Sequence, residues 1–350
     1  MSVSRPEDWA TWSEIHAQPG IWRRWAETCD WDSHRDWIAA QEVDDVWFCG
    51  AGTSAYIGDI IDAGLGGSRL QSVPSTDLVS RPRAYLKGKR PLVVNFGRSG
   101  NSSESLGTLD ALDALAPDAP RLNITCNGSS ALATRGGPET RVIVLPAETH
   151  DTGFAMTSSF STMLLTALVL FSGADPRALN RAAEAFDGLR PGLQVPPRPD
   201  RAVFLGTGAL SYAAREASLK VMELSAGRIP CLWDSTLGFR HGPKSFVTDT
   251  TLVTLFTSDE APARAYEADL IAELRSQFPA ARLITIGPDA DVPMVHPDGP
   301  AFAAPNAVLF AQLAAVTWAS EMGINVDDPF AGQGTLTRVV SGVRLYEVAS

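Results

Sequence analysis

Two runs 156 positions apart, FCGAGTSAYIGD from Phe48 and FLGTGALSYAARE from Phe204, carry the same device. In each, an apolar stretch closes on Gly-x-Gly, with a tyrosine four residues after the second glycine. A short apolar strand, a tight glycine turn and a helix form the opening unit of a parallel sheet wrapped by helices. Repetition at about the length of one domain points to tandem duplication rather than a short solenoid repeat. The pattern therefore predicts an α/β protein of two doubly wound parallel sheets flanked by helices, with a helical segment in front. In the first half, strands are expected over residues 43–49, 70–73, 92–96, 122–126 and 142–145, and helices over 55–65, from the 97–103 turn to about 115, and over 157–171. LRPGLQVPPR, residues 189–198, is dense in proline and reads as a linker. The expected division is a helical segment over 1–40, a first domain over 41–190 and a second over 199–350, with a strand at 203–205 and a helix from Ser211 onward. With 45% hydrophobic residues in 350, the chain is long enough for two cores.

The halves are not equivalent. Where the first has VVNFGRSGNSSES, the second has LVTLFTSDEAPAR. In the first, Gly97 and Gly100 let backbone N–H groups converge, and Ser99, Ser102, Ser103 and Ser105 add hydroxyls. The helix that follows offers unpaired N–H groups and the positive end of its dipole. Such a turn suits an anion, although an ordinary serine-capped helix start has the same look. The second half has lost this nest and gained two acids. Ligands of doubly wound sheets bind beyond the carboxyl ends of the strands, where Gly50–Ser54 and the 97–103 turn would converge on one crevice.

The formal net charge of −11 argues against general nucleic-acid binding and against docking on an acidic membrane. An anionic ligand must then be held by local donors. Cys29, Cys49, Cys126 and Cys231 are scattered, with no CxxC pair or His/Cys cluster, so neither a disulfide framework nor a metal site is expected. No basic-then-apolar leader and no apolar run long enough to span a bilayer stand out, and a cytoplasmic enzyme is expected. The start is rich in tryptophan: Trp9, Trp12, Trp22, Trp25, Trp31 and Trp37. Spacing by three lets pairs share a helix face, as in a packing segment, and Pro19-Gly20 is expected to break it into two helices.

Candidate chemistry lies in the second half. Glu216, Lys220 and Glu223 fall at i, i+4 and i+7, on one helix face. An exposed salt-bridge stripe would have the same spacing. Here, however, Leu219, Val221, Met222 and Leu224 imply a helix mostly covered by protein. Beyond it, DSTLGFRHGPK sets His241 among Asp234, Arg240 and Lys244, a setting that suits a positioned acid or base.

The runs EASLKVMELS and GFRHGPKS resemble the catalytic half of SIS-domain aldose–ketose isomerases, a group that includes the isomerase part of glucosamine-6-phosphate synthase. NFGRSGNSSES, ETHDTGFAMTSSFSTM and STLGFRHGPKS are nearer to the tagatose-6-phosphate ketose/aldose isomerase family, also described as galactosamine-6-phosphate deaminase/isomerase. The likeness runs from about Val43 to the C-terminus, in both halves, and implies two tandem SIS domains.

The resemblance also implies roles. Phosphate would be held by Gly52, Thr53 and Ser54 in the first turn and by Ser99, Gly100, Asn101 and Ser102 in the central loop, with Arg98 alongside. Glu223 would move a proton between C1 and C2, and His241, supplied by a partner subunit of a homodimer, would open the sugar ring. Glu216 and Lys220 would line the same pocket, and Arg338, in TLTRVV, would stand as the C-terminal basic residue. Proton transfer next to a carbonyl independently calls for a carboxylate in a dry setting and a cation or donor near the developing oxyanion. No metal or organic cofactor is required. Met156 and Ser158 replace the serine and lysine of the synthase loop, and no glutamine-amidotransferase domain precedes the sugar domains, so amine removal or plain isomerisation fits better than synthesis. The expected function is conversion of a hexosamine 6-phosphate, galactosamine 6-phosphate foremost, to a ketose phosphate and ammonia. The alternatives are a non-deaminating ketose/aldose isomerase and a sugar-phosphate sensor without catalysis.

Overall fold

In the computed structural model, which describes residues 5–348, the duplication is visible strand by strand. The first sheet is built from β1 (Val46–Cys49), β2 (Leu70–Ser72), β3 (Leu92–Gly97), β4 (Arg121–Thr125) and β5 (Thr140–Val144) in the order β2-β1-β3-β4-β5. The second uses β6 (Arg201–Gly206), β7 (Cys231–Ser235), β8 (Thr251–Phe256), β9 (Arg282–Gly287) and β10 (Val292–Pro293) in the matching order β7-β6-β8-β9-β10. Every pairing is parallel. The repeated glycines explain themselves: Gly52 and Gly208 take almost the same left-handed geometry (φ 56, ψ −130 and φ 57, ψ −128) at the two helix starts. A Cβ on Gly50 or Gly206 would sit about 2.5 Å from the backbone of the following turn, so those positions admit only glycine.

The helices are α1 (Ala10–Thr28), α2 (Trp31–Ala39), α3 (Thr53–Leu65), α4 (Ser75–Ser80), α5 (Pro82–Leu86), α6 (Ser103–Leu115), α7 (Ala131–Thr134), α8 (Ser158–Ser172), α9 (Ala178–Leu189), α10 (Ala209–Leu224), α11 (Ala261–Gln277) and α12 (Pro300–Glu321). The main core is shared. Val46 and Phe48 of β1 and Phe204 of β6 face the same apolar cluster, which also takes in α1, α2, α3, α8, α9, α10 and α12. Alternate residues, Trp47 and Cys49 in one sheet and Val203 and Leu205 in the other, face two smaller clusters on the outer sides. Both sheets are covered on both faces, as their continuous apolar strands require. The apolar residues thus form one large core between the sheets and two satellites.

Three local expectations need correction. Pro19-Gly20 does not break the first helix, since α1 runs through it. An internal proline costs about 3 kcal/mol, but Gln18 donates to Gln312, Trp22 meets Phe186 edge-on at 5.7 Å, and Trp25 donates to Thr166, so packing on both sides of the proline outweighs that cost. Asp234 and Ser235 belong to the end of β7 rather than to a catalytic loop. Finally, one apolar helix escaped the sequence reading. Among the described residues α12 is long and apolar enough to cross a membrane by length and composition, yet 94% of its apolar window is buried inside the fold. It is the central strut of the shared core.

The tail beyond α12 has no further helix or strand among the described residues and returns to the first domain. Val340 accepts from the Ser103 N–H, the Val343 N–H is held by the Ser103 hydroxyl, and Val348 packs on the outer face of the first sheet. Where the domains touch, α3 approaches α12 closely: a Cβ on Gly64 would lie 2.5 Å from that of Ala301 and 3.2 Å from that of Ala209. Gly64→Ala should therefore destabilise the chain by about 1–3 kcal/mol, against the helix propensity it gains. Urea unfolding measures this, and an unchanged or raised midpoint would remove the close-approach argument.

Candidate active site

Two helix N-termini, those of α3 and α6, open into one cavity of about 430 Å³, a size suited to a small ligand. Gly52, Thr53, Ser54, Arg98, Ser99, Gly100, Ser102, Glu223 and Arg338 all line it, so most of the residues expected from sequence meet in one place. Ser102 caps α6, accepting from the Ser105 N–H at 3.2 Å. Gly100 takes φ 62, and a Cβ there would meet Ser130 Oγ at 2.3 Å, which makes glycine obligatory at the bend. The loop is braced from behind: Asn127 donates to the Ser99 carbonyl and Leu132 to the Gly100 carbonyl. Asn101 is not in the lining; its side-chain oxygen accepts from the Ala131 N–H, bracing the loop from outside.

The two arginines hold the architecture together. Arg98 is almost fully buried and donates to the carbonyls of Gly153, Phe154 and Arg338 at 3.4, 3.1 and 3.0 Å. Arg338 donates to the carbonyls of Asp151 and Thr152 at 3.0 and 2.7 Å. Together they clamp the 151–154 loop against the tail and leave positive charge in the cavity wall. That loop is itself anchored by a residue that sequence reasoning missed. The buried Asp151 carboxylate accepts from the N–H and hydroxyl of each of Thr157, Ser158 and Ser159, at 2.5–3.0 Å. An aspartate six to eight residues ahead of a Thr-Ser-Ser helix start was the available signal. Glu14 of α1 ties down the same loop through Thr152 and Gly153. Phe154, Met156, tail residues Leu336–Val340 and the carboxylate of Glu104 are also in the lining.

The charged helix face divides in two. Glu223 lines the cavity, whereas Glu216 and Lys220 do not, contrary to the expectation that they would. Both are wholly buried behind it. The Lys220 ammonium meets Glu223 Oε2 at 2.6 Å, Thr53 Oγ1 at 3.0 Å and Glu216 Oε1 at 3.2 Å. All three of its protons are occupied, so it cannot itself reach a ligand's oxygen. Burial pushes the Glu216 carboxyl up to about 7, with Lys220 opposing and Glu223 reinforcing the shift. Burial alone would lower Lys220, but its two carboxylates outweigh that and hold it above its ordinary range.

His241 stands apart. It is exposed, at the end of a short turn (Gly238–Arg240), and is not among the residues lining the cavity. Neighbouring Arg240 and Lys244 are engaged by Glu273 of α11, which fixes the loop. No group of three or more His, Cys, Asp or Glu among the described residues could hold a metal ion. The cysteine thiols are free, and burial pushes Cys49 and Cys126 up to about 12, where they are inert.

Two parallel sheets in the same strand order, with a serine-glycine bend in the first domain and a carboxylate–lysine–carboxylate helix face in the second, define a tandem SIS-domain protein of the phosphosugar isomerase class. No protein-family model matches the chain. Relatives do: it is 36% identical to D-galactosamine-6-phosphate deaminase AgaS of Escherichia coli, over 96% of each chain. It is also 36% identical to the AgaS protein of Shewanella sp. strain ANA-3, over 96% of this chain and 91% of that one. The crystal structure of tagatose-6-phosphate ketose/aldose isomerase from Escherichia coli superimposes with a TM-score of 0.87 at 33% identity, covering 99% of both chains. The chain belongs to the AgaS family of sugar-phosphate enzymes.

The Glu216 environment has a measurable signature. Unfolded, a glutamate loses its proton near 4.5; in the fold this one keeps it to about 7. Its contribution to stability is fully present below the lower value and is lost as pH rises through the upper one. The stability difference between wild type and Glu216→Gln should therefore fall across that window, by at most about 1.4 kcal/mol per pH unit. Urea unfolding between about pH 4.5 and pH 8 measures it, and a flat difference would mean that Glu216 ionises normally.

Proposed function

We propose that this chain is a cytoplasmic enzyme that converts a hexosamine 6-phosphate, galactosamine 6-phosphate foremost, into the ketose phosphate and ammonia. The observation that carries this is the Glu223 carboxylate, which faces the same cavity as the Ser99–Ser102 cradle and has the Lys220 ammonium directly behind it. The names of the relatives support galactosamine 6-phosphate as the substrate. Backbone N–H groups of the two helix starts, with the hydroxyls of Ser99 and Ser102, hold the phosphate. Binding free energy from that remote group holds C1 and C2 against the carboxylate.

With the ring opened to the aldehyde, Glu223 removes the proton from C2 while O1 takes up a proton, giving a 1,2-enolamine. Glu223 returns its proton to C1 and the nitrogen loses one, leaving a 2-imine with a C1 alcohol. Water adds to the imine carbon and ammonia leaves, a hydrolysis that needs neither metal nor organic cofactor. Shared Lys220 makes the proton step workable. When Glu223 is neutralised by the proton it accepts, Glu216 still compensates the buried ammonium, so no charge is left unpaired. Ring opening is assigned to His241 of a second copy in a homodimer, since in its own chain this exposed histidine does not line the cavity.

Purified protein given galactosamine 6-phosphate should release ammonia and form a ketose phosphate in equal amounts. Glu223→Gln should lower kcat by at least about 100-fold while still binding the substrate. Ketose formation without ammonia from every hexosamine phosphate would favour a plain ketose/aldose isomerase, and ligand binding by wild type without any turnover would favour a sensor.

A further inference from the structure

Thr53 was expected to hold phosphate, but its hydroxyl is used elsewhere. Thr53 Oγ1 accepts a proton from Lys220 at 3.0 Å and, having done so, points its own proton to Glu216 Oε1 at 3.3 Å. The first link is fixed because an ammonium can only donate, and the second because an ionised carboxylate can only accept. Among the described residues the other Glu216 oxygen is buried without a partner, and the threonine is the one neutral donor to this carboxyl. Thr53 opens α3 in the first domain, whereas Lys220, Glu216 and Glu223 all belong to α10 in the second.

The duplication supplies an internal control. In the second copy the position equivalent to Thr53 is Ala209, following Gly208 of almost identical backbone geometry. The turn therefore forms without a hydroxyl, and local folding does not account for the threonine. We infer that Thr53 is a positioning residue of the reaction: its hydroxyl, delivered from the phosphate-binding domain, fixes Lys220 between its two carboxylates and so aims Glu223 at the substrate. This rests on the isomerase/deaminase reading above.

The test compares Thr53→Val, which keeps the shape and deletes the hydroxyl, with Thr53→Ala and Thr53→Ser, using galactosamine 6-phosphate and following ammonia. Valine and alanine should each lower kcat by about 10- to 100-fold with KM changed less than about twofold, and should move the pH dependence of kcat. Serine should restore both to near wild type. A raised KM with unchanged kcat would return Thr53 to the phosphate, and wild-type kinetics in the valine variant would remove its role altogether. An inactive wild type would instead defeat the functional reading. The positioning claim is then decided without substrate, by the pH dependence of urea unfolding. Thr53→Val should move the Glu216-dependent fall to higher pH, because a donor to that carboxylate is lost, and an unmoved fall would overturn it.

Discussion

A lysine with no exposure to water has to be surrounded by charge and hydrogen-bond partners or the fold fails, and Lys220 imposes that condition on the whole molecule. Two partners lie on its own helix, one turn away on either side. The third comes from the other domain, so the two sheets must be set against each other in one register before the ammonium is fully coordinated. Close packing of α3 on α12, and the Arg215–Asp59 bridge at 2.7 Å with the guanidinium over Tyr56, serve the same alignment. The charged face of α10 and the interface between repeats are one construction.

Duplication followed by divergence accounts for the division of labour. Both copies keep the glycine geometry that ends the first strand and starts the next helix, because a side chain at Gly50 or Gly206 would collide with the backbone. Only the first kept the serine-glycine bend, with the Ser102 cap and the bracing behind it, and only the second acquired the acidic and basic residues of α10. Asp151 shows how far the supporting structure extends. One buried carboxylate at the head of α8 fixes a loop whose carbonyls hold both arginines, and through them the tail.

What the sequence made legible was periodic or local. Repeated Gly-x-Gly turns, apolar strands and a helix face spaced by four and three residues all follow from backbone geometry, and they led to the right sheets and to most of the cavity wall. What it concealed depends on tertiary neighbours. Pro19 sits inside a helix because tryptophans and glutamines on either side are held by other helices. The apolar run of α12 gives no periodic signal because it is buried all round. Thr53 and Ser54 are adjacent and chemically alike, yet one hydroxyl faces the buried lysine and the other lies 3.8 Å from the Met156 sulfur, a difference that emerges only once α10 and the 151–157 loop are in place. His241 shows the complementary limit: its Gly-Pro context marked it, but in its own chain it lies away from the cavity.

The continuous core has a kinetic corollary. In many two-domain enzymes the halves part like jaws to admit a ligand, but here that swing would bare apolar side chains of both sheets and of the helices packed between them to water. The segment of cavity wall without such an anchor is the strap of Leu336–Val340, held by a few backbone and arginine contacts. Leu336 and Val340 are already exposed, so displacing that strap would uncover far less apolar surface than parting the two sheets.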